Sequence, residues 1–477
     1  MTKYGISTGK FLRSTGGTMT ATNSPTQENS TTSPWPTFAV CAIASYISTL
    51  DMSIVNVAFA EIAKSFPGVS RSTISWVVTS YSILYGSLLV VSGRLADRVG
   101  RKRLFQYGTV LFLIGSLMCA IAPAMGMLIA GRAVQGIGGA MMTPASLGLL
   151  LAAFPVEKRS QTVAWSGAIG ALGVASGPTL GAFFVSTFGW RSAFWINVPI
   201  CLAVIVMAWR VVRESPKQPG SRPDVLASVL VTLSVASLVW SISRVESYGW
   251  THQSVVALFI VAIVFGAVVA YRSTHHAEPL LPPALFRERT FTAANIATFL
   301  FGAAFSANIL NNVLFLRSIW GYSVLRAGWF SVLAPVIVAV TSFAIGRFVS
   351  RIGFRRLLIG GPTVFAIVVL AESYLIGETP TPWTRWLPIM FVLGISIGAT
   401  FPVLSAATVL GLPQTQFALG GAINNTFRQI GAAVGVAIVV TVQTSTDGIA
   451  GFRNGWYLIA VCGLLAALVS TAQPRHK

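Results

Sequence analysis

Four ionisable side chains stand inside long apolar stretches of this chain, where a charge is costly. Of the 13 acidic residues only Asp51 and Glu372 fall well inside such stretches, and of the 33 basic residues only Arg132 and Arg428 do. Charged groups surrounded by hydrocarbon are rare, and they commonly pair with one another or handle ions and protons. These four residues are therefore the first candidates for chemistry.

Asp51 and Arg132 are predicted to lie at similar depth in a membrane. Asp51 is about 15 residues into the first apolar stretch, roughly 22 Å from one face, and Arg132 enters from the other side, roughly 9 Å below that face. The hydrocarbon core is about 30 Å thick. We hypothesise that Asp51 pairs with Arg132 in one state and accepts a proton in another. A static ion pair that fixes two helices is the alternative.

Glu372 and Arg428 each allow two interpretations. Glu372 is predicted at comparable depth, where it would bind a second proton or a cationic substrate. It is also only about five residues from the end of its stretch, so that its side chain could extend to the interface instead. Arg428, with Asn424 and Asn425 nearby, is either a substrate ligand or part of a hydrogen-bond cluster between helices.

A row of asparagines adds further candidates for a substrate cavity. Asn308, Asn311 and Asn312 stand at positions i, i+3 and i+4 and share one helix face. Such a polar face suits a cavity lining, and it suits helix packing nearly as well.

Composition requires a membrane protein around these residues. Hydrophobic residues make up 54% of the chain and charged residues 10%, with a mean hydropathy of +0.72. Soluble proteins carry about 25% charged residues. The net charge of +20 does not indicate nucleic acid, because the Lys and Arg stand in alternate loops between apolar stretches. No Cys-x-x-Cys pair and no phosphate-binding G-x-x-x-x-G-K-[ST] run occurs, so no metal, cofactor or ATP is expected.

Stretches of about 20 apolar residues span a bilayer. The sequence predicts fourteen helices: 36–58, 74–93, 104–123, 126–150, 160–184, 190–212, 224–243, 254–272, 291–316, 325–346, 357–377, 385–410, 418–442 and 453–472. Of the 33 Lys and Arg, 23 lie in the tail, the even-numbered loops and the C-terminus. We therefore predict that both termini are cytoplasmic. Residues 1–33 are expected to form a disordered cytoplasmic tail, in which Met19 is an alternative start to Met1.

Internal repeats indicate two related halves. GRLADRVGRKR at 93–103 returns as GRFVSRIGFRR at 346–356, and Pro144 and Pro155 correspond to Pro402 and Pro413. The repeats predict a six-helix half over 34–213, an inserted helix pair over 223–272 and a second six-helix half over 291–472.

The first basic repeat carries an acid that topology does not explain. Positive charges at Arg98, Arg101 and Lys102 mark the cytoplasmic side, but Asp97 contributes nothing to orientation. We predict that Asp97 joins a charged latch at the cytoplasmic end, together with Arg98, Arg101, Lys102 and the flanking glycines, Gly93 and Gly100. In the second copy Ser350 replaces the acid.

Small residues on the fifth helix predict a close helix contact. Gly173, Gly177 and Gly181 line one face, and Pro178 removes a backbone donor among them. We interpret this segment as a pivot for conformational change.

Taken together, these motifs resemble the major facilitator superfamily, and within it the fourteen-span drug:proton antiporters. The resemblance rests on Gly93 to Lys102, on Leu50 to Ala58, on Gly131 to Gly138, on Gly173 to Gly181 and on Arg428 to Gly431. It implies an all-α membrane fold with a site between two halves. It also implies export of small amphipathic drugs in exchange for protons across the cell membrane, without enzymatic activity. A narrow exporter of a metabolite, amino acid or siderophore is the main alternative, and an uncoupled facilitator or a membrane sensor are the others.

Overall fold

A computed structural model describes residues 33–472, apart from 156–157, 215–223, 277–278, 411, 414–415, 445 and 447. Throughout these described residues the regular structure is helical, and fourteen segments are long and apolar enough to cross a membrane. This confirms the predicted all-α fold and the predicted number of spans. The predicted tail, with Met19, lies outside the described residues except for Ser33.

Five long helices and a broken sixth span form the first half. They are α1 (Trp35–Ser65), α2 (Arg71–Val99), α3 (Arg101–Ala120), α4 (Met125–Ala153), α5 (Arg159–Phe188), α6 (Ser192–Trp195) and α7 (Asn197–Val211). The span predicted near 190–212 is present over Ser192–Val211, and its helix is interrupted within it. Pro199 has no N–H to donate to the carbonyl of Trp195, and the helix is interrupted at Ile196.

An inserted pair and the second half follow. Their helices are α8 (Val225–Tyr248), α9 (Gln253–His275), the short α10 (Pro283–Arg287), α11 (Arg289–Ser318), α12 (Val324–Ser331), α13 (Leu333–Ile352), α14 (Phe354–Leu375), α15 (Leu387–Leu410), α16 (Phe417–Thr444) and α17 (Ile449–Thr471). A π-helical turn at Pro382–Trp386 leads into α15. The span predicted over 325–346 is divided at Val332, three residues before Pro335, for the same reason as at Pro199.

The basic repeat at 93–103 is almost entirely helical, whereas the sequence predicted a loop between two spans. Residues 93–99 form the last turns of α2, residues 101–103 begin α3, and only Gly100 leaves the helical conformation. Its φ of 116° is one that side chains disfavour, as is the φ of 94° at Gly353 in the second copy. We call the membrane side that carries Gly100 the basic side.

The two halves pack mainly along two seams. In one seam α2 lies against α16, and in the other α5 lies against α13 and α15. A buried apolar cluster on the basic side joins α4 and α5 to α15 and α16 through Leu151, Val163, Ala406, Val409 and Phe417. The halves are therefore in contact on the basic side.

The inserted helices pack on each other, and α8 also lies against α2 and α16. Asp224 caps α8 by accepting a hydrogen bond from the N–H of Ala227, and it forms an ion pair with Arg272 at the end of α9. Burial acts to raise the pKa of Asp224, but these hydrogen bonds outweigh it and leave the pKa below its usual value. This ion pair fixes the basic end of the inserted pair.

Candidate functional site

Asp51 and Arg132 form a fully buried ion pair within the first half. Nη1 of Arg132 lies 2.5 Å from Oδ2 of Asp51, and both side chains are almost completely shielded from solvent. Asp51 comes from the middle of α1 and Arg132 from the second turn of α4. The structure thus brings together Asp51 and Arg132, which were predicted to pair because of their similar depth in the membrane.

Three neutral side chains complete the surroundings of the Asp51 carboxylate. Its Oδ1 accepts hydrogen bonds from Asn197 at 2.8 Å and from Gln135 at 3.1 Å. Ser116 accepts from both of these amides, at 3.2 Å and 2.7 Å. Helices α1, α3, α4 and α7 are all tied to this one carboxyl group.

Arg132 connects the ion pair to α2. Its Nε donates to the carbonyl oxygen of Val77 at 2.9 Å, and its guanidinium lies 4.3 Å from the ring centroid of Tyr81. Tyr81 in turn stacks on Tyr85, with ring centroids 5.6 Å apart. The charge pair is therefore in contact with the helix that forms one seam between the halves.

Glu372 is buried as deeply as Asp51, and it does not extend to the interface. Its carboxylate accepts hydrogen bonds from Asn308 at 3.0 Å and from Asn312 at 2.9 Å, and Asn312 accepts one from Trp456 at 2.8 Å. Among the described residues no Lys, Arg or His forms an ion pair with Glu372. The side-chain amides of Asn308 and Asn312 on α11 hold the Glu372 carboxyl group inside the protein, so it does not reach the membrane interface.

The asparagine row on α11 contacts neighbours in its own half. Asn308 and Asn312 bind Glu372, whereas Asn311 donates to the carbonyl oxygen of Phe452 at 3.3 Å and accepts from Gln443. All three side chains are buried. These contacts join α11 to neighbouring helices of the second half.

The Asp51 and Glu372 clusters occupy corresponding places in the two halves. Asp51 is held between the first, third and sixth spans of its half, through Ser116 and Asn197. Glu372 lies on the third span of the second half and is held by the first and sixth, through Asn308, Asn312 and Trp456. Each half thus has a polar centre with one acid, and among the described residues only the acid of the first half is accompanied by a cation.

Asp97 and Arg101 form a second buried ion pair, on the basic side. Nε and Nη2 of Arg101 donate to Oδ1 of Asp97 at 3.0 Å and 2.9 Å, and Nη1 donates to the carbonyl oxygen of Gly148 on α4. The acid is paired with Arg101, which is four residues on and shares its helix face. Lys102 reaches away from the pair and donates to the carbonyl oxygen of Trp209.

The first glycine of each basic repeat lies in a seam between the halves. A Cβ on Gly93 would meet Ala418 and Leu419 of α16, and a Cβ on Gly346 would meet Gln161 and Trp165 of α5. The repeat therefore marks both seams on the basic side. The side chains of Arg347, Ser350 and Arg351 lie outside the described part of the structure.

The glycines of α5 face α1 at very close range. A Cβ on Gly173 would strike the backbone at Tyr46, one on Gly177 would strike Ser53, and one on Gly181 would press on Ile54 and Val57. On the other side of this segment, the hydroxyl of Thr179 lies 3.5 Å from the carbonyl oxygen of Gly328, next to Pro178. The segment packs on α1 within its own half and touches α12 of the other.

Asn424 and Arg428 have different surroundings on α16. Asn424 donates to Asn295 and Thr298 of α11, so it belongs to the packing of the second half. Arg428 donates to Asn425, which itself donates to Tyr85 of the first half at 3.4 Å. Only Arg428 among the proposed cavity residues is thus linked to the seam.

Sequence comparison decides the family. The description "Major Facilitator Superfamily" belongs to a family model that matches residues 41–284 and 294–477. The chain belongs to the major facilitator superfamily. The methylenomycin A resistance protein of Bacillus subtilis is 30% identical over 445 residues, which cover 93% of this chain and 95% of that protein.

Other relatives agree with this assignment to the superfamily. The multidrug export protein EmrB of Escherichia coli is 28% identical over 409 residues, covering 85% of this chain and 79% of that protein. The solved structure of the human organic anion transporter MFSD10 aligns with a TM-score of 0.66 over 92% of this chain and 100% of that one, at 15% identity. The resemblance to fourteen-span antiporters and the major facilitator fold are confirmed, and the chain is a multi-pass membrane protein.

Proposed function

We propose that this major facilitator exports amphipathic drugs in exchange for protons, with Asp51 as the group that exchanges them. The observation that supports this most is the buried pair of Asp51 with Arg132. When an ion pair is shielded from water, loss of the charge on one partner leaves the other charge buried and uncompensated, which is strongly destabilising. Protonation of Asp51 would remove one charge, release Arg132 and change the contacts that hold α1, α2 and α4 together.

The names of the relatives support drugs as substrates. Proteins similar over most of this chain are described as methylenomycin A resistance and multidrug export proteins. We infer that the basic side is cytoplasmic, as the positive-inside rule predicts. The contact between the halves on the basic side then corresponds to closure towards the cytoplasm.

Glu372 is proposed as a second proton-binding group. A buried acid with amide donors and no cationic partner among the described residues is costly to ionise. Its position corresponds to that of the Asp51 cluster in the other half, so that each half would carry one proton site.

Transport by inverted membrane vesicles tests the proposed function. We expect an inside-acid pH gradient to drive uptake of one or more amphipathic probes from a set of ethidium, chloramphenicol and 2-naphthoate. Collapse of the gradient with a protonophore should stop that uptake. Uptake that continues without the gradient would establish an uncoupled facilitator, and no uptake of any probe would favour a narrow metabolite exporter.

Loss of the acid in the basic repeat is expected to open the basic side. Asp97→Asn leaves the guanidinium of Arg101 buried without its charged partner, which destabilises such a site by about 3–5 kcal/mol. A cysteine introduced at position 418, in the seam beside Gly93, should then react with a water-soluble thiol reagent about tenfold faster. That factor corresponds to a decrease of about 1.4 kcal/mol in the free energy of opening the seam.

The same labelling experiment has a matched control. Arg103→Gln removes the charge of a side chain that is 57% exposed and lies only two residues from Arg101. This change should leave the labelling rate unchanged. Equal rates in wild type and Asp97→Asn would show that Asp97 does not hold the seam closed.

A further inference from the structure

Arg428 is an intramembrane arginine to which the described residues offer no carboxylate. Arg132 is paired with Asp51, and Glu372 is held by the amides of α11. The guanidinium of Arg428 donates only to the neutral side chain of Asn425, and Tyr85 is the one titratable group of the described chain that faces it. Charged groups at this depth normally pair with an opposite charge. Among the described residues nothing supplies the anion that Arg428 lacks, so an anion from outside the chain is its expected partner.

The position of Arg428 is where a transported molecule would bind. Two of its neighbours on α16 contact the first half: Asn425, one turn earlier, donates to Tyr85 at 3.4 Å, and Gln429, the next residue, lies 3.7 Å from the sulfur of Met52. Arg428 shares the helix face of Asn425 and is only half-buried. It thus lies beside the contact between the halves, where substrate sites of such folds are built.

Aromatic surface lies next to the guanidinium. The ring of Phe401 is 5.9 Å from the Arg428 guanidinium carbon, and Phe305 packs edge-on against Phe401 at 5.1 Å between centroids. Phe305 is half-buried. Phe401 itself is buried, so an apolar body would rest on Phe305 while its charged end reaches the arginine.

We propose that Arg428 binds the anionic group of the exported molecule, so that the preferred substrates are small amphipathic monoanions such as aromatic carboxylates. This inference rests on the proposed export function, but its claim about the charge of the bound molecule is a separate one. A planar guanidinium suits a carboxylate because it donates two parallel hydrogen bonds. Asp51 is already paired with Arg132, and Glu372 is completely buried behind the amides of α11, so neither carboxylate is exposed to a cationic drug.

A continuous series of contacts joins this arginine to the proton site. Arg132 lies on the ring of Tyr81, Tyr81 stacks on Tyr85, Tyr85 accepts from Asn425, and Asn425 accepts from Arg428. A carboxylate bound at Arg428 would compete with Asn425 for its N–H groups and so disturb Tyr85. Binding of the anion and the protonation of Asp51 would then influence one another reciprocally.

Binding to the purified protein tests the charge claim without a gradient, so a failure of proton coupling does not obscure it. The probe is radiolabelled 2-naphthoate, and the competitors are 2-naphthamide and 2-naphthylmethylamine, which have nearly the same shape with neutral and positive ends. We expect the wild type to bind 2-naphthoate and neither analogue to compete well. Arg428→Gln should weaken binding about tenfold or more, the usual effect of losing charged hydrogen bonds.

Three further variants keep the result interpretable. Arg428→Lys keeps the charge without the planar donor pair and should bind with intermediate affinity, whereas Arg317→Gln, which removes an exposed charge from α11, should bind like the wild type. Tyr85→Phe should alter the pH dependence of binding, because it cuts the contact between Asn425 and the tyrosine pair. Unchanged binding in folded Arg428→Gln or Arg428→Lys, a wild-type preference for the amide or amine, or displacement of the probe by phosphatidylglycerol at equal concentration would overturn the proposal.

Discussion

Inverted vesicles that contain Asp51→Asn are expected to lose all response of transport to a pH gradient. In the wild type, each unit of inside-acid pH provides about 1.4 kcal/mol per proton, which sustains about a tenfold concentration ratio of a neutral substrate. Asparagine fills the same space and still accepts a hydrogen bond from Arg132, but it cannot exchange a proton. The ratio should therefore stay near unity at any imposed gradient.

The control for this variant lies on the same helix. Glu61→Gln removes an exposed carboxylate near the end of α1, where Glu61 only pairs with Lys64, and it should behave like the wild type. Stability must be measured alongside, because a buried arginine that loses its partner destabilises the fold. If Asp51→Asn is unstable, the double variant Asp51→Asn/Arg132→Gln should recover part of the lost stability, since it removes the uncompensated charge. Full gradient-driven uptake by folded Asp51→Asn would contradict the role of Asp51.

Adding one methyl group at Gly177 is expected to disrupt both folding and transport, whereas the same change two turns earlier, at Gly170, is tolerated. A Cβ at Gly177 would collide with the Cβ of Ser53 and press on its backbone, so α1 and α5 would have to separate. Overpacking of this kind costs about 1–3 kcal/mol. At Gly170 the nearest atom to a new Cβ is the methyl group of Thr49, at an ordinary 3.9 Å. Gly170→Ala should even stabilise the helix, by up to about 1 kcal/mol.

Thermal unfolding in detergent and vesicle transport together measure this contrast. Gly177→Ala should lower both the melting temperature and the transport rate, and Gly170→Ala should lower neither. A Gly177→Ala protein with the stability and activity of the wild type would show that the close contact of α5 with α1 is dispensable.

Much of the fold was predictable because only a few kinds of structure can cross the hydrocarbon core of a membrane. Length and apolarity alone fixed fourteen spans, and the repeated basic motif indicated the two halves. Helix ends were less predictable. The motif at 93–103 is almost entirely helical because a single glycine at position 100, with a positive φ, is enough to reverse the chain.

The charged members of the candidate site were predictable, and their neutral partners were not. Asp51 and Arg132 stand out because charges are so rare within the spans. Gln135, Asn197 and Ser116 complete the same site, but neutral polar residues are common in such helices and reveal their partners only once helix rotation is known. Gln135 stood within a stretch that resembled the family, which was the only available signal for it.

Glu372 shows the limit of reasoning from depth. Its distance from the helix end permitted a side chain that extends to the interface, but the amides of Asn308 and Asn312 come from a helix far away in sequence and enclose it. Which helix packs on which face cannot be read from one span alone. The same information separates Arg428, beside the seam, from the asparagines that lie within the second half.

Proton release upon substrate binding tests the central claim most directly. Purified protein in weakly buffered detergent, with a pH indicator dye, is mixed with whichever probe the vesicles transport best. If Asp51 exchanges a proton against substrate, the wild type and Glu61→Gln release protons on binding, and Asp51→Asn binds the probe without that release. Equal proton release by Asp51→Asn and the wild type would contradict the claim that Asp51 is the site of proton exchange.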